Sequence, residues 1–509
     1  MRVLLRNGVL YANGPQPLSS MLIVDDRIAW IGQDVEMHDA DRVIDLDGRV
    51  VVPAFVDAHV HATATGLAMV PCSVDHPSQL LDRFHPSAEV VLGHGWDDTT
   101  WPSGWFSRAD LDNRVGNTLV YASRIDVHSA IVSSALLDRV PRELDGWSDT
   151  GVLTRAAHAH ARMVAFGALS DQQRIAAQQR TLALAAELGI ACLHEMSGPA
   201  IASYRDAELL LAQTSPTTPQ VALWWGELHG FERARDLGAY GIGGDLVIDG
   251  SVGSRTAAFC DDYHDQPTRG ASYQESDELV AHIAAAVDAG IPTAFHAIGD
   301  AAVAQIVSAY RQVVESRSIE RFSAGLHRIE HCELARDEDL RTIAELGIIA
   351  SVQPQFDAQW GGHVGMYAQR LGTERASRMN RFASMAKAGI RLTFGSDSPV
   401  TALDPWGSVH AAQFHRTPGE SLTQRAAIAA HTRGGWRAIG VETAGVLAEG
   451  WDATFAVWET DGESVAFVDD RIARWSTDPR AGVPRLPDMR NARCVMTVRR
   501  GEALFDALS

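Results

Sequence analysis

The residues best suited to chemistry in this sequence are histidines and carboxylates. Asp57-Ala-His59-Val-His61 directly follows the apolar run VVPAFV at 51–56. Residues i and i+2 of a strand point to the same side, so two imidazoles at this spacing can converge on one cation. Such a pair also arises by chance on a surface, and needs company to mean more. Three residues supply it: His296 in AFHAIGD, His331 in GLHRIEHCE and Asp397 in LTFGSD each close an apolar, strand-like stretch. Several His side chains with a carboxylate form a suitable ligand set for Zn²⁺ or a similar divalent ion. Taken singly, each is as well explained as a hydrogen-bonded core or turn residue. Their common place at strand ends is what a single core residue does not explain.

The elements that must position them alternate along the chain. Apolar strands are predicted at 51–56, 190–194, 221–225, 246–248, 293–296, 324–329, 348–352 and 392–394. Amphipathic helices are predicted between several of them, at 172–188, 277–289, 301–315, 335–346 and 374–388, with Gly189, Gly290, Gly347 and Gly389 where C-terminal caps belong. Eight strands in βα alternation predict an α/β protein built on a (β/α)₈ TIM barrel, whose catalytic groups stand at strand C-terminal ends. The stretch 63–188 is too long for one loop. It carries strand signals of its own at 90–96 and 118–125, and reads as an insertion after strand one. Short strands punctuated by NG, DD, GQ and DG turns are predicted at 2–5, 21–24, 28–31 and 43–46, and again at 453–458, 465–468 and 494–498. Both termini therefore predict one small β-sandwich: its parts are 1–52 and 441–509, flanking a barrel at 53–440.

Composition narrows the partners. The 509 residues are 46% hydrophobic and 21% charged, as in an ordinary globular protein, with a formal net charge of −20. That charge repels phosphate backbones and anionic membranes, so the expected partner is a small-molecule substrate, with no nucleic acid and no membrane. Five widely spaced cysteines without a CxxC, the absence of an apolar run of 18 residues and an N-terminus unlike a signal peptide predict a cytoplasmic protein. A homodimer is the commonest assembly to expect.

Nine segments resemble the amidohydrolase superfamily, and within it the amidohydrolase-3, YtcJ-like branch of metal-dependent hydrolases. They are VVPAFVDAHVH (51–61), GWDDTTWP (95–102), RIDVHSAIVSSALL (124–137), DGSVGSRTA (249–257), HAIGDAAV (296–303), RIEHCEL (328–334), SVQPQF (351–356), GSDSPV (395–400) and DPWGSV (404–409). The resemblance implies a metal-bearing barrel with a composite sandwich. It implies ligands at His59, His61, His296 and His331, and Asp397 as both metal contact and proton shuttle. Many superfamily members place a carboxylated lysine at the end of strand four. Here that stretch reads GGDLVIDGS (243–251), and the only lysine of the chain, Lys387, lies in a predicted helix before strand eight. A carbamate bridge is excluded, so the expected cofactor is one or two divalent ions without a carboxylated lysine. Other relatives draw a bridging ligand from strand two, which offers Glu195 in CLHEMSG (192–198); a hydrogen bond to substrate or loop explains Glu195 equally well. Asp245 stands near the missing lysine, with a turn cap as its plainer role. His194 faces away from Glu195 and reads as structural.

The chemistry needs little more. A bound divalent ion lowers the pKa of its water from 15.7 to about 7, giving a hydroxide nucleophile at neutral pH. Asp397 would take the remaining proton and return it to a leaving nitrogen. An electrophile for the developing oxyanion is still required. His128 in RIDVHSA and Arg255 in GSVGSRTA are candidates, each also explicable as a satisfied loop residue. Trp96, Trp101, Trp105 and Phe106 in the insertion, with Trp360 and Trp406, either pack or line the pocket mouth. The expected activity is metal-dependent hydrolysis of a non-peptide carbon–nitrogen bond, foremost a linear amide such as an N-acyl or N-formyl amine. A deaminase or cyclic amidohydrolase could use the same site, and a non-catalytic binding or assembly protein could use the same scaffold.

Overall fold

The computed structural model describes residues 1–12, 18–33, 39–67, 69–71, 84, 90–99, 107–460 and 486–508. At its centre are eight parallel strands. Four form one sheet: β1 (Phe55–Val60), β2 (Ile190–Ser197), β3 (Gln220–Trp225) and β4 (Gly241–Ile242), hydrogen-bonded in that order. Four form the other: β5 (Ala294–Ala297), β6 (Arg328–His331), β7 (Ile349–Val352) and β8 (Arg391–Phe394). Isolated parallel bridges connect the sheet edges, Ile242 to Thr293 before β5 and Val60 to Ser398 after β8. Every residue of β1, β2, β5, β6 and β7 is buried, as expected for parallel strands covered on both faces.

Helices return the chain between strands. The longer ones include α1 (Arg155–Gly167), α2 (Asp171–Glu187), α3 (Ser276–Ala289), α4 (Asp300–Arg317) and α5 (Asp337–Glu345), with the shorter α6 (Phe382–Lys387) before β8. Local sequence explains their ends. Ser170 caps α2 in a box with Gln173, and Gly290 closes α3 in the left-handed conformation (φ 68°) that costs a β-carbon-free residue nothing.

Three strand boundaries differ from the sequence expectation. The apolar run expected as one strand at 51–56 serves two sheets. Val50–Pro53 pairs antiparallel with Phe455–Glu459, and β1 begins only at Phe55. Pro53 has no N–H to extend a ladder, and the chain changes sheets there. Strand four begins earlier than the expected 246–248, at Gly241–Ile242; Gly243 and Gly244, with φ of 112° and 80°, interrupt it, and 246–248 resumes the parallel pairing through the bridge of Val247 to His296. A β-carbon on Gly243 would stand 1.8 Å from the Ala294 carbonyl oxygen, so only glycine fits that approach. The segment expected as strand 324–329 opens with the turn that follows a helix at Ile319–Ser323, and β6 covers Arg328–His331. The helix expected at 374–388 is divided into Thr373–Ala376 and α6, with Asn380 at φ 55° between them.

The insertion carries its own five-stranded sheet, in the order Val152–Thr154, Ser129–Val132, Leu119–Arg124, Val90–Trp96 and Val70–Pro71. Two further sheets come from the chain ends. One has Arg27–Gly32, Ser20–Val24, Arg2–Arg6 and Arg42–Asp45. The other interleaves both ends: Val9–Leu10, Val50–Pro53, Phe455–Glu459, Arg493–Arg499 and Glu502–Asp506. Leu5, Met21, Ile28, Val51, Val457 and Val495 form part of one apolar core common to both. The strand expected at 465–468 lies outside the described residues.

Candidate metal centre

The strand ends converge on one buried carboxylate, Asp245. Its Oδ2 is 3.2 Å from His61 Nε2, and its Oδ1 is 3.4 Å from His59 Nε2, 3.6 Å from His296 Nδ1 and 3.9 Å from His331 Nε2. Asp397 Oδ1 stands 3.1 Å from His61 Nε2 and 3.4 Å from His59 Nε2. Two sets, His59–His61–Asp397 and His59–Asp245–His331, each bring three ligand atoms within 4.8 Å of one another. The five strand-end residues singled out in the sequence are thus neighbours, with Asp245 among them.

Backbone contacts hold β1 against the loop after β8. Asp397 N donates to His59 O at 2.8 Å, His61 N donates to Ser398 O at 3.0 Å, and buried Asp57 accepts from His59 N and Ser396 N. Burial pushes the Asp57 carboxyl up to about 6. His331 and Asp397 both take positive φ, 67° and 55°. Such backbone is uncommon outside glycine and persists only where its surroundings enforce it.

The orientation of the rings is informative. His59 Nδ1 meets Glu330 Oε2 at 2.9 Å, His61 Nδ1 meets the Met196 carbonyl at 3.0 Å, and His331 Nδ1 meets Gln353 Oε1 at 2.9 Å. His296 Nε2 meets the Gly250 carbonyl at 3.3 Å. These partners accept, so each ring donates its N–H outward and turns the other nitrogen toward Asp245. An imidazole lone pair facing a carboxylate oxygen is repulsive unless a cation or a proton lies between them. Among the described residues, His59 Nε2 and Asp245 Oδ1 are both buried without a hydrogen-bond partner. The donor set, imidazole nitrogens with carboxylate oxygens, fits a divalent transition ion such as Zn²⁺.

Electrostatics agree. Burial pulls the His61 imidazole down, but hydrogen bonds and charge from Asp245 and Asp397 outweigh it and raise its pKa to about 9. The same carboxylates, against the same burial, push His59 well above its usual value, and Asp245 and Asp397 are themselves held low by the imidazoles. The cluster attracts positive charge.

Beneath it lies a buried support. Arg328 donates to both Glu330 oxygens at 2.8 Å, to Ala58 O and to Ser351 Oγ, and stands 4.8 Å over the Trp224 ring. Its Nη1 is 2.8 Å from His194 Nδ1, the structural place expected for His194.

Two expected site residues are engaged elsewhere. Glu195 accepts from Ala62 N at 2.7 Å and Ser197 Oγ at 3.2 Å, and burial raises its pKa to about 7. Arg255 forms a two-pronged pair with Asp265, which also holds Arg370. His128 does approach the cluster: its ring centroid is 5.0 Å from that of His296, and burial with the His296 charge lowers its pKa to about 3. It lines a cavity of about 420 Å³ that also touches Asp245 and His296. Trp360 lines a small adjoining space with His331 and Asp397, whereas Trp406 packs edge-on against Phe55 at 5.0 Å in the core. Trp96 is buried, its indole N–H on Ala122 O; Trp101, Trp105 and Phe106 lie outside the described residues. Lys387, at the end of α6, is exposed.

Sequence reasoning left Asp245 between ligand and turn cap, and overlooked Glu330 and Gln353. The available signal for Glu330 was Arg-x-Glu inside an apolar strand, since buried charges come paired. For Asp245 it was the double glycine before it, which turns the chain inward.

Comparison with known proteins decides the family. Residues 42–505 match the amidohydrolase family. The chain belongs to that family. It is 26% identical over 459 residues to the protein LONG AFTER FAR-RED 3 of Arabidopsis thaliana, covering 81% of this chain and 77% of that protein. It is 24% identical to the putative amidohydrolase YtcJ of Bacillus subtilis (82% and 85% covered), and 23% identical to the N-substituted formamide deformylase of Arthrobacter pascens (81% and 84%). Among solved structures it resembles an uncharacterized metal-dependent hydrolase from Pyrococcus furiosus, with TM-score 0.70, 26% identity, and 90% of this chain and 98% of the other covered. This amidohydrolase therefore has a TIM-barrel-type α/β fold and is a metal-dependent hydrolase of carbon–nitrogen bonds. None of its helices, among the described residues, is long and apolar enough to cross a membrane.

Proposed function

We propose that this amidohydrolase cleaves a linear amide, such as an N-acyl or N-formyl amine, at a centre held by His59, His61, His296, His331, Asp245 and Asp397. The observation carrying this reading is the orientation of four imidazoles, each donating outward and presenting its free nitrogen to Asp245. The likeness to a formamide deformylase along most of the chain supports the linear amide. When bound, Zn²⁺ or a similar ion supplies Lewis acidity and brings the pKa of water to about 7.

The remaining work belongs to side chains. Asp397, kept ionised by His59 and His61, accepts a proton at its carboxylate and returns it to the leaving nitrogen. His128, neutral at physiological pH, offers a ring N–H to the carbonyl oxygen as charge develops there. Glu195 fixes the turn after β1 through Ala62 N, and Arg255 fixes the 251–256 loop through Asp265. Asp245 lies near the stretch where many superfamily members carry a carboxylated lysine, and with the neighbouring imidazoles it would hold one or two ions without carbon dioxide.

The same reading takes the two parallel sheets as one closed (β/α)₈ barrel over 53–440. It takes 1–52 and 441–509 as a composite β-sandwich. The cytoplasm is its compartment, given four unpaired cysteines among the described residues, and a homodimer its assembly. Zinc-loaded enzyme given N-formyl and N-acyl amines, cyclic ureides and aminopurines tests the reaction. Release of the amine from the linear amides supports it. Ammonia from aminopurines or opening of the ureides, with linear amides inert, would replace it.

A further inference from the structure

We infer that the substrate carries a carboxylate and that Arg162 receives it. This rests on the amide-hydrolase reading for the scissile bond and adds the chemistry of the substrate's other end. Among the described residues five arginines are buried. Four have a carboxylate partner: Arg124 with Asp126 at 2.8 Å, Arg174 with Asp206 at 2.9 Å, Arg328 with Glu330 at 2.8 Å and Arg370 with Asp265 at 2.8 Å. Arg162 is the exception. It is 7% exposed, and among the described residues its guanidinium makes no hydrogen bond and no ion pair; it only stands 5.5 Å over the Phe166 ring. Guanidinium stays charged at any physiological pH, and a buried charge without a counter-charge is strongly unfavourable.

Its location suggests where the counter-charge comes from. Arg162 lies on α1 one turn after His158, so both face the same way. Both line the 420 Å³ cavity that is also lined by Asp245, His296 and His128. Arg162 also borders a smaller space that reaches His61. Arg162 therefore shares one cavity with Asp245 and His296 and another with His61. Arg155, the other cation of the larger cavity, is already paired with Asp145 at 3.1 Å, and His158 is kept neutral by burial and by Arg162. Apart from Asp245 no carboxylate among the described residues lines this cavity, while Ile201, Leu246 and Val247 offer an apolar wall. An amide with an apolar body and a carboxylate fits: an N-acyl amino acid or a compound of the same chemistry, its carboxylate taken by the fork of Arg162.

The test compares charged and neutral probes on metal-loaded wild type, Arg162→Met and Arg162→Lys. Calorimetry measures binding of 3-phenylpropanoate against 3-phenylpropan-1-ol, and kinetics measures kcat/KM for N-acetyl-leucine against N-acetyl-leucinamide. Wild type is expected to favour the carboxylate by at least about tenfold, the scale of hydrogen bonds to charged groups. Arg162→Met brings that ratio to about one, and Arg162→Lys retains part of it. Absence of a preference in wild-type binding overturns the inference. So does a preference that survives in Arg162→Met, since the carboxylate then sits elsewhere, such as on the metal. If neither amide turns over but the binding ratio behaves as expected, the hydrolysis reading fails and the role of Arg162 stands.

Discussion

The Asp245 carboxylate lies 3.2 Å from His61 Nε2 although the two residues are separated by more than 180 positions and belong to different strand ends. That pairing is the centre of the site, because the same carboxylate also faces the free nitrogens of His59, His296 and His331. Asp245→Asn keeps the shape and removes the charge. Metal affinity is expected to fall by at least about a hundredfold, beyond the 10- to 100-fold typical of outer partners, with turnover falling alongside. Competition against a chromophoric chelator measures it; an unchanged affinity would remove Asp245 from the ligand set.

Asp397 is expected to matter to the proton rather than to folding. Asp397→Asn should lower kcat by about 10²- to 10⁴-fold, the range for a general acid–base group. Thermal stability should change little. Single-turnover kinetics with a linear amide checks it, and full activity in this variant would assign the proton transfer elsewhere.

Glu330 carries a different load. It orients His59 and neutralises buried Arg328, so Glu330→Gln leaves a guanidinium with half its partner. Breaking such a pair costs about 3–5 kcal/mol. The expected result is a clear fall in the denaturation midpoint together with weaker metal binding. A variant as stable as wild type would show that Arg328 finds its charge elsewhere.

Asp126 makes the acid limb of stability predictable. Burial alone would raise its pKa, yet the Arg124 charge at 2.8 Å, with hydroxyl donors from Ser251 and Ser254, outweighs burial and holds it at about 2. The folded value lies below the unfolded one of about 3.9, so its stabilisation, about 2–3 kcal/mol, is present above pH 4 and lost as pH falls toward 2. Asp126→Asn should therefore be less stable than wild type at pH 7, with the gap closing between pH 4 and 2. Denaturant unfolding at three pH values checks this, and a gap independent of pH would contradict it.

Much of this was legible in the chain because it is written locally. Alternation of apolar strands with capped helices announces the parallel α/β core, and the histidines announce themselves by ending those strands. What escaped was long-range. The run 51–56 reads as one strand, but its two halves pair with partners about 400 and 135 residues away, Phe455–Glu459 and β2. Asp245 follows two glycines whose positive φ reorients the chain, and periodicity does not register that. Arg255 has the charge for a site residue, and only the fold reveals Asp265 beside it. The solitary Arg162 on an amphipathic helix looks like any surface arginine until its burial is known.

The most direct measurement is elemental analysis of the protein purified from zinc-supplemented, bicarbonate-free medium, beside Asp245→Asn and the double variant His59→Ala/His61→Ala. At least one transition-metal ion per wild-type chain is expected, independent of bicarbonate, with a large loss in both variants. Wild type that holds no metal and takes up none on reconstitution, or variants that stay fully loaded, would contradict it.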